Sequence, residues 1–210
     1  LLLAQGARAD DTDHSGTDAL SHLCEYEQDD DDEMLALLLN AKVHAPKVDS
    51  VRSSDGATPL HIAADNQHDE ATRQLLKHKA DPNRRRTTDG FTPLMIACSN
   101  GYESILGLLI DDERVEINAG ALNGRTALHC ACEHGQAKLI GRLLSAKADP
   151  AAKTAKGETP LALALRGETA AHNQIASRLQ EEAKGRGGKK GRRRASLVPG
   201  RRMSAVHTSG

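Results

Sequence analysis

Six consecutive residues, His129-Cys130-Ala131-Cys132-Glu133-His134, place imidazole and thiol donors side by side and invite a zinc reading. Helix geometry opposes it, because Cys130 and Cys132 are two positions apart and would face nearly opposite sides of a helix. Buried cysteine otherwise behaves as a small hydrophobe, so core packing is the expected role. A second candidate, Asp11-Thr12-Asp13-His14-Ser15-Gly16, matches the opening of a calcium-binding loop. Its twelfth position is His22 where a bidentate carboxylate is needed, and its eighth is Asp18 where an apolar residue is usual. His61 and His129 are expected to brace turns by hydrogen bonds, since no nucleophile, base and orienting partner recur around them. No catalytic residue, metal or cofactor is therefore assigned, and the chain is read as a non-enzyme.

These residues sit on elements that repeat. Asp55-Gly-Ala-Thr-Pro-Leu-His-Ile-Ala-Ala64, Asp89-Gly-Phe-Thr-Pro-Leu-Met-Ile-Ala-Cys98, Asn123-Gly-Arg-Thr-Ala-Leu-His-Cys-Ala-Cys132 and Lys156-Gly-Glu-Thr-Pro-Leu-Ala-Leu-Ala-Leu165 are near copies. Their glycines, Gly56, Gly90, Gly124 and Gly157, are 34, 34 and 33 residues apart, a period that indicates stacked units. In each block glycine supplies a turn and threonine caps the first free amides of a helix, and in three of the four proline suits the first helical position. Helices are predicted to start at Thr58, Thr92, Thr126 and Thr159. Gly101, Gly135 and Gln67 stand where these helices should stop, and Leu75-Leu76, Leu109-Ile110 and Leu143-Leu144 mark a second helix at constant distance. Turn-rich segments such as Ala80-Asp81-Pro82-Asn83 and Ala148-Asp149-Pro150 then lead into the next glycine. In this register Ile62 and Ile96 occupy the slot of Cys130, while Ala64 and Cys98 occupy that of Cys132, which again favours packing.

The Thr-Pro-Leu-His-x-Ala start within a unit of about 33 residues resembles the ankyrin repeat family. That resemblance implies an all-α solenoid of stacked helix-turn-helix units with loop or β-hairpin tips. Asp13 to Leu20 resembles a worn copy, with Asp18 in the threonine slot, Ala19 in the proline slot and Glu33 to Asn40 as its second helix. Its Gly16 lies 40 residues before Gly56, so enlarged loops are expected near Asp29–Asp32 and over Ala41 to Ser54. Leu1 to Ala7 resembles the end of an outer helix, so the chain is read as a fragment that begins inside a repeat. The repeat domain is assigned to residues 1–183: a partial unit at 1–12, a degenerate one at 13–52, units at 53–86, 87–120 and 121–153, and a capping unit at 154–183. Lys79 and Lys147 stand where the family usually has glycine, and the last copy is expected to have a shortened, Ala-rich second helix.

Composition agrees with a leucine and alanine core, since the chain has one phenylalanine, two tyrosines and no tryptophan, too few for an aromatic-lined cofactor pocket. No apolar run is long enough for a membrane span, and the chain reads as soluble. Three of its four cysteines fall in the repeat blocks without a disulfide framework, which points to a reducing compartment, cytoplasmic or nuclear. Residues 184–210 carry nine Lys or Arg and no acid, leaving 19 basic against 29 acidic residues upstream. This stretch cannot offset its ordering entropy and is predicted to be a disordered basic tail. Arg193-Arg194-Ala195-Ser196-Leu197 and Arg201-Arg202-Met203-Ser204 resemble the substrate consensus of basophilic kinases such as the cyclic-AMP-dependent kinase, so Ser196 and Ser204 are expected phosphorylation sites. Lys189 to Arg194 reads equally as a signal for an import receptor, a patch for nucleic acid or anionic lipid, or an inert solubilising tail.

Stacked repeats bury one another and leave an extended face and a row of tips for recognition. Arg84, Arg85 and Arg86 lie before Gly90, and Arg125, Lys153 and Lys156 extend the same basic edge. Asp65, Asn66, Ser99, Asn100, Tyr102, Glu133 and His134 fall at the exposed ends of the first helices. Tyr102 and the arginines are the expected anchors for a protein partner. The expected function is a protein-interaction scaffold tuned by its tail. The alternative is the regulatory ankyrin segment of a larger enzyme or channel, such as a kinase or transferase.

Overall fold

A threonine starts a helix where a glycine has just turned the chain, and four such starts recur in register, three of them with proline at the first helical position. The computed structural model describes residues 11–14, 16–25, 31–41 and 46–192, with residues 31 and 185–192 as backbone only. Within them the helices come in pairs: α1 Ala19–Glu25 with α2 Asp31–Leu39, α3 Pro59–Asp65 with α4 Asp69–Lys77, and α5 Pro93–Asn100 with α6 Glu103–Ile110. The series continues with α7 Ala127–Glu133 and α8 Ala137–Ser145, then α9 Pro160–Arg166 and α10 Ala170–Arg192. Thr92 Oγ1 accepts from Met95 N at 3.4 Å and Thr159 Oγ1 from Ala162 N at 3.3 Å. These caps satisfy amides that the helix itself leaves free.

The inner helices α1, α3, α5, α7 and α9 pack in chain order, and the outer helices α2, α4, α6, α8 and α10 form a second layer against them. Leu20, Leu60, Leu94, Leu128 and Leu163 are buried on the inner helices, and Leu35, Leu75, Leu109 and Leu143 on the outer ones. Ala63-Ala64, Ala97-Cys98 and Ala131-Cys132 have no exposed surface, since their small side chains let neighbouring inner helices approach closely. No described helix is long and apolar enough to cross a membrane.

Helix stops fall where the pattern puts them, at Gly101 with φ 82° and Gly135 with φ 68°. Gln67 makes the same left-handed turn with φ 60°, as do Lys79 at 70° and Lys147 at 67°, each at a steric cost of about 1–2 kcal/mol that glycine avoids. The degenerate first unit is a genuine copy: Asp18 Oδ1 accepts from Ser21 N at 2.8 Å, replacing the threonine cap, and Ser50 Oγ donates to Asp18 Oδ2.

Two expectations are corrected. Asp31 and Asp32 open α2 instead of lying in an enlarged loop, since carboxylates favour the positive end of a helix. The last outer helix is not shortened but runs from Ala170 to Arg192, so the boundary drawn at 183 falls inside it. Glu181, Glu182, Ala183 and Lys184 are good helix formers, and basic residues are favoured towards the negative helix end. Leu1 to Ala7, Ser196 and Ser204 lie outside the described residues.

Each unit ends in a hairpin-like tip. Arg52 N donates to Ala57 O at 2.8 Å and Gly56 N to Arg52 O at 2.8 Å, and Arg86 N to Phe91 O and Gly90 N to Arg86 O repeat the pattern at 2.9 Å. Successive tips are tied by single backbone bonds: Thr87 N to Asp55 O at 2.9 Å, Leu122 N to Asp89 O at 3.0 Å and Ala155 N to Asn123 O at 2.8 Å. Among the described residues the one bridge outside helices pairs Thr12 with Asp18.

Candidate interaction surface

The cysteine and histidine cluster that opened the sequence is folded into the core. Cys130 and Cys132 have no exposed surface, and burial pushes their thiols up to about 11 and about 12. Cys98, fully buried in the adjacent inner helix, is likewise raised well above the usual thiol value by burial. A metal site needs the thiolate, which this environment disfavours. Among the described residues no three His, Cys, Asp or Glu side chains converge on a point that could hold a metal. The calcium-like loop is also internally committed: Asp13 Oδ1 accepts from Thr17 N at 3.0 Å, and Asp13 Oδ2 faces His22 Nε2 at 2.9 Å.

The histidines are inter-repeat struts. Thr58 N donates to His61 Nδ1 at 3.2 Å, so Nε2 carries the proton and donates to Phe91 O, in the next unit, at 3.0 Å. His129 repeats this, accepting from Thr126 N at 3.2 Å and donating to Glu158 O at 3.1 Å. A third strut, His172, has Nδ1 2.6 Å from Thr169 Oγ1 and donates from Nε2 to Glu133 O at 3.0 Å. Its signal stood in the sequence, since Thr169-x-x-His172 has the spacing of Thr58-x-x-His61 and Thr126-x-x-His129.

The arginine triplet divides. Arg86 grips Asp89 with Nη2 to Oδ2 at 2.6 Å and Nε to Oδ1 at 3.3 Å, and its guanidinium lies 5.9 Å from the Phe91 ring centroid. Arg52 grips Asp55 in the same way, at 2.8 and 3.1 Å, so both arginines are braces inside their own tips. Arg84 lies 4.0 Å from Asp81 and is exposed, and Arg85 is exposed on the same tip. Arg86→Ala is expected to destabilise the chain by about 1–2 kcal/mol, and Arg85→Ala by less than about 0.5 kcal/mol. Urea denaturation of both variants checks this; equal effects would remove the distinction.

The polar residues at the inner-helix ends form a ladder that crosses the units. Asn66 Nδ2 donates to Cys24 O at 3.4 Å and Ile62 O at 3.0 Å, and Asn100 Nδ2 to Asp65 Oδ1 at 3.0 Å. Gln136 Nε2 reaches Ser99 O at 3.2 Å, and Arg125 Nη2 pairs with Glu133 at 2.6 Å. His134 Nδ1 is bonded to Cys130 O at 2.9 Å, while Tyr102 is half-buried and packs against the core. Asp65, Asn66, Asn100 and His134 therefore present exposed groups held in fixed positions.

Two tip residues escaped the sequence reading. Val51 is 58% exposed and Leu122 is 70% exposed. Leu122 stands two residues before its glycine, where Ser54 and Thr88 stand in the preceding units, and that break in a polar slot was the available sign.

The comparisons agree with this geometry. No curated protein matches the chain. The family described as ankyrin repeats (3 copies) matches residues 1–86, 22–121, 73–154 and 94–186. Its overlapping matches span the degenerate first unit as well as the four clear ones, and the chain belongs to the ankyrin repeat family.

Proposed function

We propose that the chain is a non-enzymatic interaction scaffold that binds a protein partner along its tips and inner-helix ends. The observation that carries this reading is that Arg85, exposed and with no carboxylate partner among the described residues, and the 70% exposed Leu122 stand on successive tips. The Leu122 N to Asp89 O bond fixes the two tips beside one another. Arginine next to an exposed apolar side chain is the composition of an interface anchor rather than of a solvated loop. Arg84, Lys153 and Lys156 extend the edge and favour an acidic segment on the partner. Phosphorylation of Ser196 and Ser204 would adjust affinity or location through the basic tail, in the cytoplasm or nucleus.

Affinity capture with the full chain, followed by identification of what is retained, supplies the partner for the decisive comparison. The R84E/R85E and L122D variants are each expected to weaken capture of that partner by tenfold or more, with unchanged thermal unfolding. Capture that survives both variants would remove the tips from the interface.

A further inference from the structure

Gly107 and Gly141 sit inside outer helices, where glycine is disfavoured relative to alanine. Both are explained by a neighbour from the following unit. A Cβ at Gly107 would lie 2.7 Å from Arg142 Nη2, and one at Gly141 would lie 2.6 Å from Arg178 Nη2. Each guanidinium is thus laid across the helix before it, in a cradle that a methyl group would fill.

The charge accounting around these arginines is unusual for this chain. The repeat body is acidic, and it pairs its arginines with carboxylates, as in Arg52–Asp55, Arg86–Asp89, Arg114–Asp112 and Arg125–Glu133. Arg142 instead donates to the Glu103 backbone carbonyl at 3.2 Å, and among the described residues no carboxylate pairs with Arg142, Arg178 or Lys138. These three cations line one open groove of about 590 Å³ between the outer helices, together with Ser145 and Asp111. Three cations against one carboxylate leave two positive charges, which one phosphate dianion would neutralise. Guanidinium forks match phosphate oxygens, and the Ser145 hydroxyl adds a donor.

We infer that the groove formed by Arg142, Arg178 and Lys138 binds a compact soluble phosphate compound on the face opposite the inner helices. The acidic body disfavours approach to an anionic membrane surface, and three cations gathered in one groove suit a compact anion over a long acidic peptide.

Sodium pyrophosphate titrated into the full-length chain, with backbone amide shifts followed by NMR, tests this. Saturable shifts at Gly107, Gly141 and Arg142 are expected, about tenfold weaker in R142Q/R178Q. Gly141→Ala leaves the charge unchanged but displaces Arg178, and is expected to weaken binding several-fold. Shifts confined to residues 184–194, or unchanged binding in either variant, would overturn the assignment. So would retention on phosphoinositide vesicles without any response to the soluble anion.

Discussion

Gly90→Ala is expected to destabilise the fold by about 3 kcal/mol, whereas Gly157→Ala should cost only about 1 kcal/mol. The two glycines have nearly the same backbone, φ 75° and φ 78°, so the strain of placing a side chain in the left-handed region is common to both. What differs is the neighbour. A Cβ at Gly90 would lie 2.6 Å from Leu122 N, the amide that donates to Asp89 O and ties this tip to the next. A Cβ at Gly157 meets nothing within 4 Å. Gly56 and Gly124 behave like Gly90, with Thr87 N and Ala155 N each 2.9 Å from the added atom. These are backbone atoms that cannot rotate away, so the tip-to-tip bond must break or the units must shift. Paired urea denaturation of the two variants reads the difference directly, and equal losses would show that backbone strain alone sets the glycine requirement.

That contrast follows from the one-dimensional construction of a repeat stack, in which stability is a sum of unit and nearest-neighbour terms. A glycine in the middle of the array is used twice, once for its own turn and once to admit the next tip. The last glycine is used once. The same division separates what could be read from the sequence from what could not. Thr58, Pro59 and Gly101 act within a few residues of themselves, and their roles as cap, first helical residue and stop were legible. Asp18 was legible as a cap replacement because Asp, like Thr, offers an oxygen to the first-turn amides.

Roles that cross a unit boundary were hidden. The brace role of Arg86 is not among them: Asp89 lies three residues on in the same tip, at the spacing of Arg52 and Asp55, so that signal stood in the sequence and was missed. Gly107 and Gly141 were visible as helix-interior glycines, but their reason lies in Arg142 and Arg178, 35 and 37 residues further on. The exposed polar row was legible as surface and illegible as a ladder, because Asn100 to Asp65 is a contact between units. Leu122 was overlooked for the opposite reason: its residue type suggested core, and only the slot it fills at the tip argues for exposure.

Acidification should loosen the stack, because the His61 and His129 struts are held neutral. His61 is 1% exposed, and burial, with a contribution from the nearby Arg86 charge, lowers its pKa from 6.5 to about 4 against the opposing effects of its bond to Phe91 O and of Asp55. Protonation would also place a second N–H at Nδ1, facing the Thr58 amide that now donates to it at 3.2 Å. Because the folded pKa lies below the unfolded value, the contribution is complete above about pH 6.5 and is lost as pH falls towards 4. The full loss from His61 is about 3 kcal/mol, with about 2–3 kcal/mol gone by pH 4.5. His129, shifted in the same direction by burial, adds to it. Asp55 acts in a separate window: its grip on Arg52 holds its pKa at about 2 instead of 3.8, so its contribution disappears only as pH falls through that lower range. Urea denaturation at pH 7 and pH 4.5 should therefore show a drop in the wild type that is substantially reduced in H61Q, whose amide does not titrate. A drop of the same size in H61Q would assign the acid sensitivity to other groups.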